Sequence, residues 1–408
     1  MKPLSLLPLL LLASLCASAQ PLAKDLPQHS FIRYESNDLR FNDSSSSMIS
    51  FFRKWNRMVA TRQGNLNIVH IGGSHVQAGT MSNTIRCNLL QAYPSLVAGR
   101  GMLFPYSAAA RCNNPRDYRV HCPQKVSLTR NIYKEHSCPL GLCGIAVTAD
   151  TLTEIQMVLS DSRIDYATNR IVILGHSDQG VVPFLNIGGR TVYPSYVARA
   201  TERFVFNLSA PVDSFAIILP CNPGQSFSLT GVFLDNRHAG FSFHSIGVNG
   251  AAVPDFLRCQ NFVRDLRMLH PDMVIFGIGI NDANVSDFDT AAFRANYLAL
   301  VDSIRSINPD CAFLFITNND SFRPKGRRRY EVNRNGLLAR EVFYRLADDT
   351  RGALWDQFEV MGGLKSMEKW YKAHLAQKDR VHFTPAGYQL IGDLITNALF
   401  KAYSDYSK

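Results

Sequence analysis

Beyond residue 19 the sequence has no apolar run approaching the ~20 residues that a helix needs to cross a bilayer. It has no Cys-x-x-Cys pair of the kind that zinc sites use, and only His121 and His136 lie near its central cysteines. It also has no internal repeat, low-complexity tract or nucleic-acid-binding motif. A membrane span, a metal centre and a nucleic-acid partner are therefore not expected.

Acidic residues are comparatively few, with 33 Asp and Glu against 43 Lys and Arg and a formal net charge of +10. Such an excess favours acidic partners, such as anionic glycans, membranes or nucleic acid. The one dense basic run is RPKGRRRY, Arg323–Tyr330. We interpret it as a solvated loop before a helix, because no nucleic-acid motif accompanies it.

The N-terminal stretch MKPLSLLPLLLLASLCASA, residues 1–19, has a lysine near its start, an apolar centre and an Ala-Ser-Ala end. This pattern predicts a secretory signal peptide that is cleaved before Gln20, and hence a periplasmic or extracellular protein. A lipidated Cys16 is the alternative, but Leu15 fits poorly before such a cysteine.

Cleavage would remove Cys16 from the nine cysteines and leave an even number. In an oxidising compartment this predicts one or two disulfides among four of them, with the pairing open. The four are Cys112, Cys122, Cys138 and Cys143.

The pattern of apolar residues changes twice along the chain. A helix at Ser47–Thr61 and a strand at Leu66–Ile71 are predicted first, and short alternating runs separated by Gly, Pro and Asn follow after about residue 112. Strands and helices alternate again beyond Gly240. We therefore predict one parallel-sheet α/β domain, residues 20–112 and 237–408, interrupted by an inserted β-sandwich at 113–236.

The stretch HIGGSHVQAG joins the first predicted strand to a helix and contains Ser74. Two glycines before the serine allow a tight turn and a close approach of the backbone that side chains would block. The Ser74 hydroxyl is then expected at the carboxyl edge of the sheet. Taken alone, such a turn is more often structural than catalytic.

Three other segments add complementary chemistry. In DRVHFTPAGY, Asp379 precedes His382 by three residues, a spacing that lets a carboxylate orient an imidazole for use as a base. In GIGINDA, Asn281 follows a buried strand and offers an amide donor to an oxyanion. In SIGVNGA, Gly250 offers a backbone N–H group.

Together, these four segments resemble the SGNH hydrolases, the superfamily of GDSL-type esterases. The resemblance covers roughly residues 66–93 and 240–400. It implies a three-layer, flavodoxin-like α/β fold with a parallel sheet. It also implies a catalytic triad of Ser74, His382 and Asp379, and an oxyanion hole made by the Ser74 N–H, the Gly250 N–H and the Asn281 side chain.

Two features set the chain apart within this resemblance. Gly73 stands where the family usually has the aspartate that braces the nucleophile turn, and His75 follows the serine, where we expect it to give local support. The β-rich segment between Ser74 and Gly250 is similar in layout to bacterial peptidoglycan O-acetylesterases with an inserted carbohydrate-binding-module-like sandwich.

The expected activity is therefore that of a serine esterase that needs no cofactor or metal. Its partner would be an O-acetylated polysaccharide, with peptidoglycan as one candidate, from which it removes acetyl groups. The alternatives are an O-acetyltransferase or lipid esterase of the same fold, and an inactive glycan-binding protein.

Overall fold

The computed structural model describes most of the chain, namely residues 21, 23–42, 46–109, 112–160, 163–164, 168–326 and 329–408. The segment predicted to be a signal peptide lies outside the described residues. The N-terminal elements are β1 (Leu39–Arg40), α1 (Ser47–Thr61), β2 (Asn65–Gly72), α2 (Ser74–Gln77) and α3 (Thr80–Ala92). Helix α1 has the predicted bounds, and β2 extends the predicted strand by one residue at each end.

A long series of strands follows. They are β3 (Gly101–Leu103), β4 (Tyr118–His121), β5 (Ser127–Arg130), β6 (Ile145–Ala149), β7 (Leu152–Leu159), β8 (Thr168–His176), β9 (Phe184–Ile187), β10 (Arg190–Val192), β11 (Tyr196–Ala198), β12 (Arg203–Val212), β13 (Ser214–Pro220) and β14 (Phe227–Asp235). Short 3-10 turns occur at Tyr34–Ser36, Tyr106–Ala108 and Arg199–Thr201.

The C-terminal part alternates strands and helices. Its elements are β15 (Gly240–Gly247), α4 (Val253–Leu257), α5 (Phe262–Leu269), β16 (Met273–Gly277), α6 (Thr290–Arg305), β17 (Ala312–Ile316), β18 (Phe322–Pro324), β19 (Tyr330–Val332), α7 (Asn335–Asp349), β20 (Ala353–Trp355), α8 (Gln357–Val360), α9 (Ser366–Lys372) and α10 (Pro385–Tyr406).

The central sheet has the order β1-β20-β17-β16-β2-β15. All of its neighbouring pairs are parallel except β1 with β20. Counted along the chain, the parallel strands lie in the order 2-1-3-4-5, which is the flavodoxin-like arrangement. In such a sheet a ligand site forms beyond the carboxyl ends of the first and third strands, which here are β2 and β16.

Helices cover both faces of this sheet, because alternate residues of each strand point to opposite sides. In β2, Leu66 and Ile68 pack with α1, α3 and α10, whereas Val69 and Ile71 pack with the layer that contains α5, α6 and α7. The predicted apolar face of α6, comprising Phe293, Tyr297, Leu300 and Ile304, is buried in the second layer. The three-layer fold predicted from sequence is confirmed.

The strands β3–β14 form two antiparallel sheets. One has the order β10-β9-β13-β7-β4, and the other has the order β11-β12-β8-β14-β6-β5 with β3 paired to β14. These sheets are the additional β-rich part that the sequence pattern predicts. Strand β3 precedes residue 113 yet pairs with β14, and the division at 113 and 236 stays a prediction.

A buried ionic cluster joins this β-rich part to the α/β layers. The Asp117 carboxylate binds Arg100 Nε at 2.5 Å and Arg86 Nη1 at 3.2 Å, and Arg86, on α3, also donates to Ser245 Oγ at 2.9 Å. Burial would raise the pKa of Asp117, but the two guanidinium groups outweigh it and lower that pKa. The carboxylate therefore stays charged in the interior.

The prediction of disulfides is wrong for this structure, in which all eight described cysteines are free thiols. Cys138 and Cys143 are buried among apolar side chains, Cys112 Sγ accepts from Gln77 Nε2 at 3.5 Å, and Cys122 Sγ donates to the Gln124 carbonyl. An even number of cysteines carries no information on whether the fold brings their sulfur atoms together. Within the described residues, no helix has the length and apolarity to cross a membrane.

Candidate active site

Ser74 is placed by the turn between β2 and α2. A Cβ atom at Gly72 would lie 2.3 Å from Val76 Cγ2 and 2.6 Å from the Gly277 carbonyl oxygen, so only glycine lets the turn pack against β16. Gly73 then precedes α2, and Ser74 is its first residue, partly exposed at the carboxyl edge of the sheet. This is the position that the sequence predicts for the serine.

Gly73 faces the other polar groups of the site. A Cβ atom at this position would lie 3.2 Å from Asn281 Nδ2 and 3.4 Å from the Ala251 carbonyl oxygen. These two groups instead bind each other directly, with Asn281 Nδ2 donating to Ala251 O at 2.9 Å. The loops after β15 and β16, which flank Gly73, are therefore joined by Asn281 without an aspartate at residue 73.

The loop before α10 brings a histidine and a carboxylate to Ser74. Ser74 Oγ lies 2.7 Å from His382 Nε2, and His382 Nδ1 lies 2.7 Å from Asp379 Oδ2. The backbone N–H groups of Val381 and His382 donate to Asp379 Oδ1 at 2.9 and 3.0 Å. The three-residue spacing thus lets one carboxylate fix both the loop and the imidazole.

The charge of Asp379 determines the tautomer of His382. Burial alone would raise the pKa of Asp379, but hydrogen bonds from the His382 ring and from the two N–H groups lower that pKa to about 2. An ionised carboxylate only accepts hydrogen bonds, so Nδ1 of His382 carries the proton. Nε2 then presents its lone pair to the Ser74 hydroxyl, as a general base must.

Three N–H donors lie at the edge of the sheet that carries Ser74. Among the described residues, neither the Ser74 N–H nor the Gly250 N–H donates to a protein group. The Asn281 amide uses one N–H for Ala251, which leaves its second N–H available. β2, β15 and β16 are neighbours in the sheet, so these donors come from loops at the same edge. Such a set can stabilise an oxyanion that forms on a carbonyl attacked by Ser74.

Gln77 is a residue that sequence reasoning missed. It is buried one turn after Ser74, and its Oε1 accepts from the Asn249 N–H at 2.7 Å. Its Nε2 contacts Cys112 Sγ and the Asn113 carbonyl, at the start of the predicted insertion. Gln77 therefore links the nucleophile turn to the loop that carries Gly250, a contact that no local sequence signal indicates.

His75 packs behind the histidine of the site. Its ring centroid lies 5.2 Å from that of His382, and its Nδ1 is 2.8 Å from the Tyr388 hydroxyl. Burial first, and the nearby His382 second, lower the pKa of His75 to about 3. His75 is therefore uncharged and packs against the His382 ring, as expected for a residue that supports the site locally.

No group of His, Cys, Asp or Glu side chains in the described parts of the chain is arranged to hold a metal ion. The site as described consists of one serine, one histidine with its carboxylate, and N–H donors.

Comparisons with known proteins agree with this fold. Residues 224–390 match the model of the GDSL-like Lipase/Acylhydrolase family, a range that includes Gly250, Asn281, Asp379 and His382 but not Ser74. A solved peptidoglycan O-acetylesterase has a similar structure, with a TM-score of 0.74 and 20% identity over 90% of this chain and 99% of that one. The search of curated proteins found no match.

Two other solved structures match only a part of the chain, each with a TM-score of 0.31. The acetyl xylan esterase AlAXEase has 20% identity over 38% of this chain and 79% of its own. A family 3 carbohydrate esterase from Talaromyces cellulolyticus has 18% identity over 41% of this chain and 76% of its own.

Residues 224–390 therefore match a domain model of the GDSL, or SGNH, type, and the fold of the whole chain is similar to that of a solved structure of this kind. The resemblance predicted from sequence and the fold that it implies are both confirmed. The catalytic roles of the individual residues remain predictions.

Proposed function

We propose that this protein is a serine esterase that removes O-acetyl groups from a polysaccharide, with peptidoglycan as the leading candidate. The observation that supports it most is the hydrogen-bonded chain from Ser74 through His382 to Asp379, with links of 2.7 Å each. Groups in this arrangement form the recurring apparatus of acyl transfer.

In the proposed reaction Ser74 Oγ attacks the acetyl carbonyl carbon while His382 Nε2 takes the hydroxyl proton. Asp379 stabilises the resulting imidazolium, and the oxyanion accepts hydrogen bonds from the Ser74 N–H, the Gly250 N–H and Asn281. Collapse of this intermediate breaks the bond to the sugar oxygen, which receives the proton from His382. Water, activated by His382, then attacks the acetyl-serine and releases acetate.

Three properties of the chain support a polymeric substrate. The His382 and Asp379 side chains are 33% and 45% exposed, so an acetyl group on a long chain can approach them. Tyr193 and Tyr196, on the β-rich part, are 70% and 63% exposed, and exposed aromatic rings can stack on sugars. The net charge of +10 favours a polysaccharide that bears carboxylates.

Tyr196 also borders a groove of about 600 Å³ lined by residues of β8, β11 and β12 and by Met268 of α5. Arg170, Arg203 and Arg237 line the same groove, as does Asp235, which pairs with Arg170 at 3.4 Å. Arg237 precedes β15 and Met268 precedes β16, so the groove lies toward the amino ends of these strands and away from Ser74. We propose that it holds a distant part of the same acidic glycan during deacetylation. The same proposal places the protein in the periplasm or outside the cell, where such polymers occur.

The decisive experiment measures acetate release from a panel of O-acetylated polysaccharides, including peptidoglycan, and compares acetyl, butyryl and octanoyl esters of one chromophore. We expect acetate release and a preference for the acetyl ester, both abolished in Ser74→Ala. Preference for octanoyl would indicate a lipid esterase, and transfer of acetyl to a sugar acceptor would indicate an acetyltransferase. Glycan binding without turnover would indicate an inactive binding protein.

A matched test concerns the groove. Tyr196→Ala should lower kcat/KM on acetylated polymer while leaving a small acetyl ester unaffected. Leu152→Ala, which removes an exposed large apolar side chain from the other sheet of the β-rich part, is the control. An equal loss on both substrates in Tyr196→Ala would contradict a glycan-holding role.

A further inference from the structure

The loop that follows β15 is held at nearly every polar group except the one expected to act on substrate. The Val248 N–H donates to Gly72 O at 3.1 Å, and the Asn249 N–H donates to Gln77 Oε1. Ala252 and Val253 donate to the carboxylates of Asp255 and Asp282. The Gly250 N–H is left free among the described residues. No hydrogen bond of its own fixes the direction of the Gly250 N–H, so this direction follows the orientation of the Asn249–Gly250 peptide.

Val248–Ala251 form a β-turn, with the Ala251 N–H donating to Val248 O at 3.0 Å. Gly250 has φ +82°, whereas Asn249 is not among the residues with positive φ. A negative φ followed by a positive φ defines a type II turn. Type I differs by roughly 150 to 170° in the two torsions beside the central peptide, which amounts to a flip of that peptide.

The central peptide of this turn contains the Asn249 carbonyl and the Gly250 N–H. Because a trans peptide is planar, these two groups point in opposite directions, and a flip would turn the N–H away from the site. Glycine accepts either sign of φ at small cost, so Gly250 does not itself prevent the flip. Contacts with the Asn249 carbonyl must hold the orientation.

Arg130 makes that contact from the β-rich part, with its Nη2 donating to the Asn249 carbonyl. Its own backbone is held in place, since Arg130 pairs with Ile145 at the end of β5 and the next carbonyl, of Asn131, accepts from Arg258 Nη2 at 2.7 Å. The neighbouring Ile132 side chain reaches within 3.9 Å of where a Cβ on Gly250 would lie. The guanidinium is thus presented to the turn by a fixed element.

We propose that Arg130 is a positioning residue that locks the Asn249–Gly250 peptide in the orientation that aims the Gly250 N–H at the oxyanion. This inference rests on the proposed esterase function, and it assigns the β-rich part a role in catalysis as well as in holding glycan. Glycine makes the energies of the type I and type II turns similar, so one charge-assisted hydrogen bond to the Asn249 carbonyl is enough to favour type II.

The kinetic test uses 4-nitrophenyl acetate, a small neutral ester that cannot report glycan binding. Arg130→Ala should lower kcat about 10- to 100-fold, less than the roughly 10²- to 10³-fold expected for complete loss of an oxyanion donor, with KM changed less than about threefold. Arg130→Lys retains a donor and should recover part of kcat. Arg119→Ala removes an exposed arginine of the same β-rich part and should behave as wild type.

An unchanged kcat on 4-nitrophenyl acetate in Arg130→Ala would overturn the proposal. A loss seen only as a raised KM for an acidic glycan would also overturn it, because Arg130 would then be a substrate-binding residue. A second measurement does not depend on turnover. In protein labelled with [¹⁵N]glycine, the Gly250 amide resonance should shift or broaden by exchange in Arg130→Ala and not in Arg119→Ala. If the wild type proves inactive, the esterase assignment fails, and this resonance alone decides whether Arg130 holds the peptide.

Discussion

Replacing Asp379 by asparagine should disable the site through the tautomer of His382 rather than through loss of a contact. Asp379 Oδ1 accepts from two backbone N–H groups, so in Asp379→Asn the amide oxygen must occupy this position. The amide nitrogen then takes the place of Oδ2, 2.7 Å from His382 Nδ1. Because an NH₂ group donates, Nδ1 must accept, and the ring proton moves to Nε2.

A protonated Nε2 donates to Ser74 Oγ and cannot remove its proton. A carboxylate-to-amide change of this type in a serine triad lowers kcat by about 10⁴, which corresponds to about 5 kcal/mol in the activation barrier. The pKa of Asp379 is about 2, so the wild-type carboxylate is ionised throughout the usual assay range and the comparison at pH 7 is clean.

The assay is kcat on 4-nitrophenyl acetate, with Ser74→Ala setting the floor and thermal unfolding checking the fold. Asp310→Asn makes the same chemical change at an exposed residue just before β17, at the opposite edge of the sheet, and should leave kcat unchanged. Asp379→Asn with kcat within tenfold of the wild type would refute the reasoning, since the tautomer would then not matter.

Three further outcomes follow from other groups. Asn281→Ala should lower kcat about 10²- to 10³-fold with little change in KM, and a change in KM alone would make Asn281 a binding residue. Asp117→Asn should lower the free energy of unfolding by about 3–5 kcal/mol in denaturant titrations, because Arg86 and Arg100 lose a buried counter-charge, whereas a change below about 1 kcal/mol would contradict this. Burial raises the pKa of Asp282 to about 7, so the folded state keeps a proton that the unfolded chain releases near pH 4. The free energy of unfolding should therefore fall as the pH rises from 4 to 7. Asp282→Asn should flatten this dependence, and an unchanged slope would show that another group causes it.

Local patterns were sufficient for the elements that carry the site. The three- and four-residue spacing of Phe52, Trp55 and their neighbours predicts α1 with its observed bounds, because helix periodicity is a property of the segment itself. The contact between Asp379 and His382 was also predictable, since three residues separate them and one turn of chain brings them together.

The meeting of Ser74, Gly250 and Asn281 was predictable by a less local rule. Each follows a strand, and the carboxyl ends of parallel strands share one edge of a sheet. The resemblance to the SGNH hydrolases supplied their order along the chain. Gly73 is the departure from that resemblance, and the turn is instead packed against β16 through Gly72, whose carbonyl accepts from the Val248 N–H.

Sequence reasoning failed where side chains from elements far apart in the sequence contact each other. Gln77 and Arg130 read as ordinary polar residues, yet they hold the two peptides on either side of Asn249. The cysteines of the β-rich part suggested disulfides, but the free thiols there reflect where the packed strands place each side chain.

The sequence by itself determined the class of chemistry and the framework that presents it. Periodicity, glycine turns and short-range spacing act within a few residues, and they place a serine, a histidine with its carboxylate, and an asparagine at one edge of an α/β sheet. Only the tertiary structure decided how the β-rich part meets that edge. The direction of the Gly250 N–H depends on Arg130, whose contact with Asn249 spans 119 residues of chain, and such a contact exists only once the β-rich part shares a core with the α/β layers.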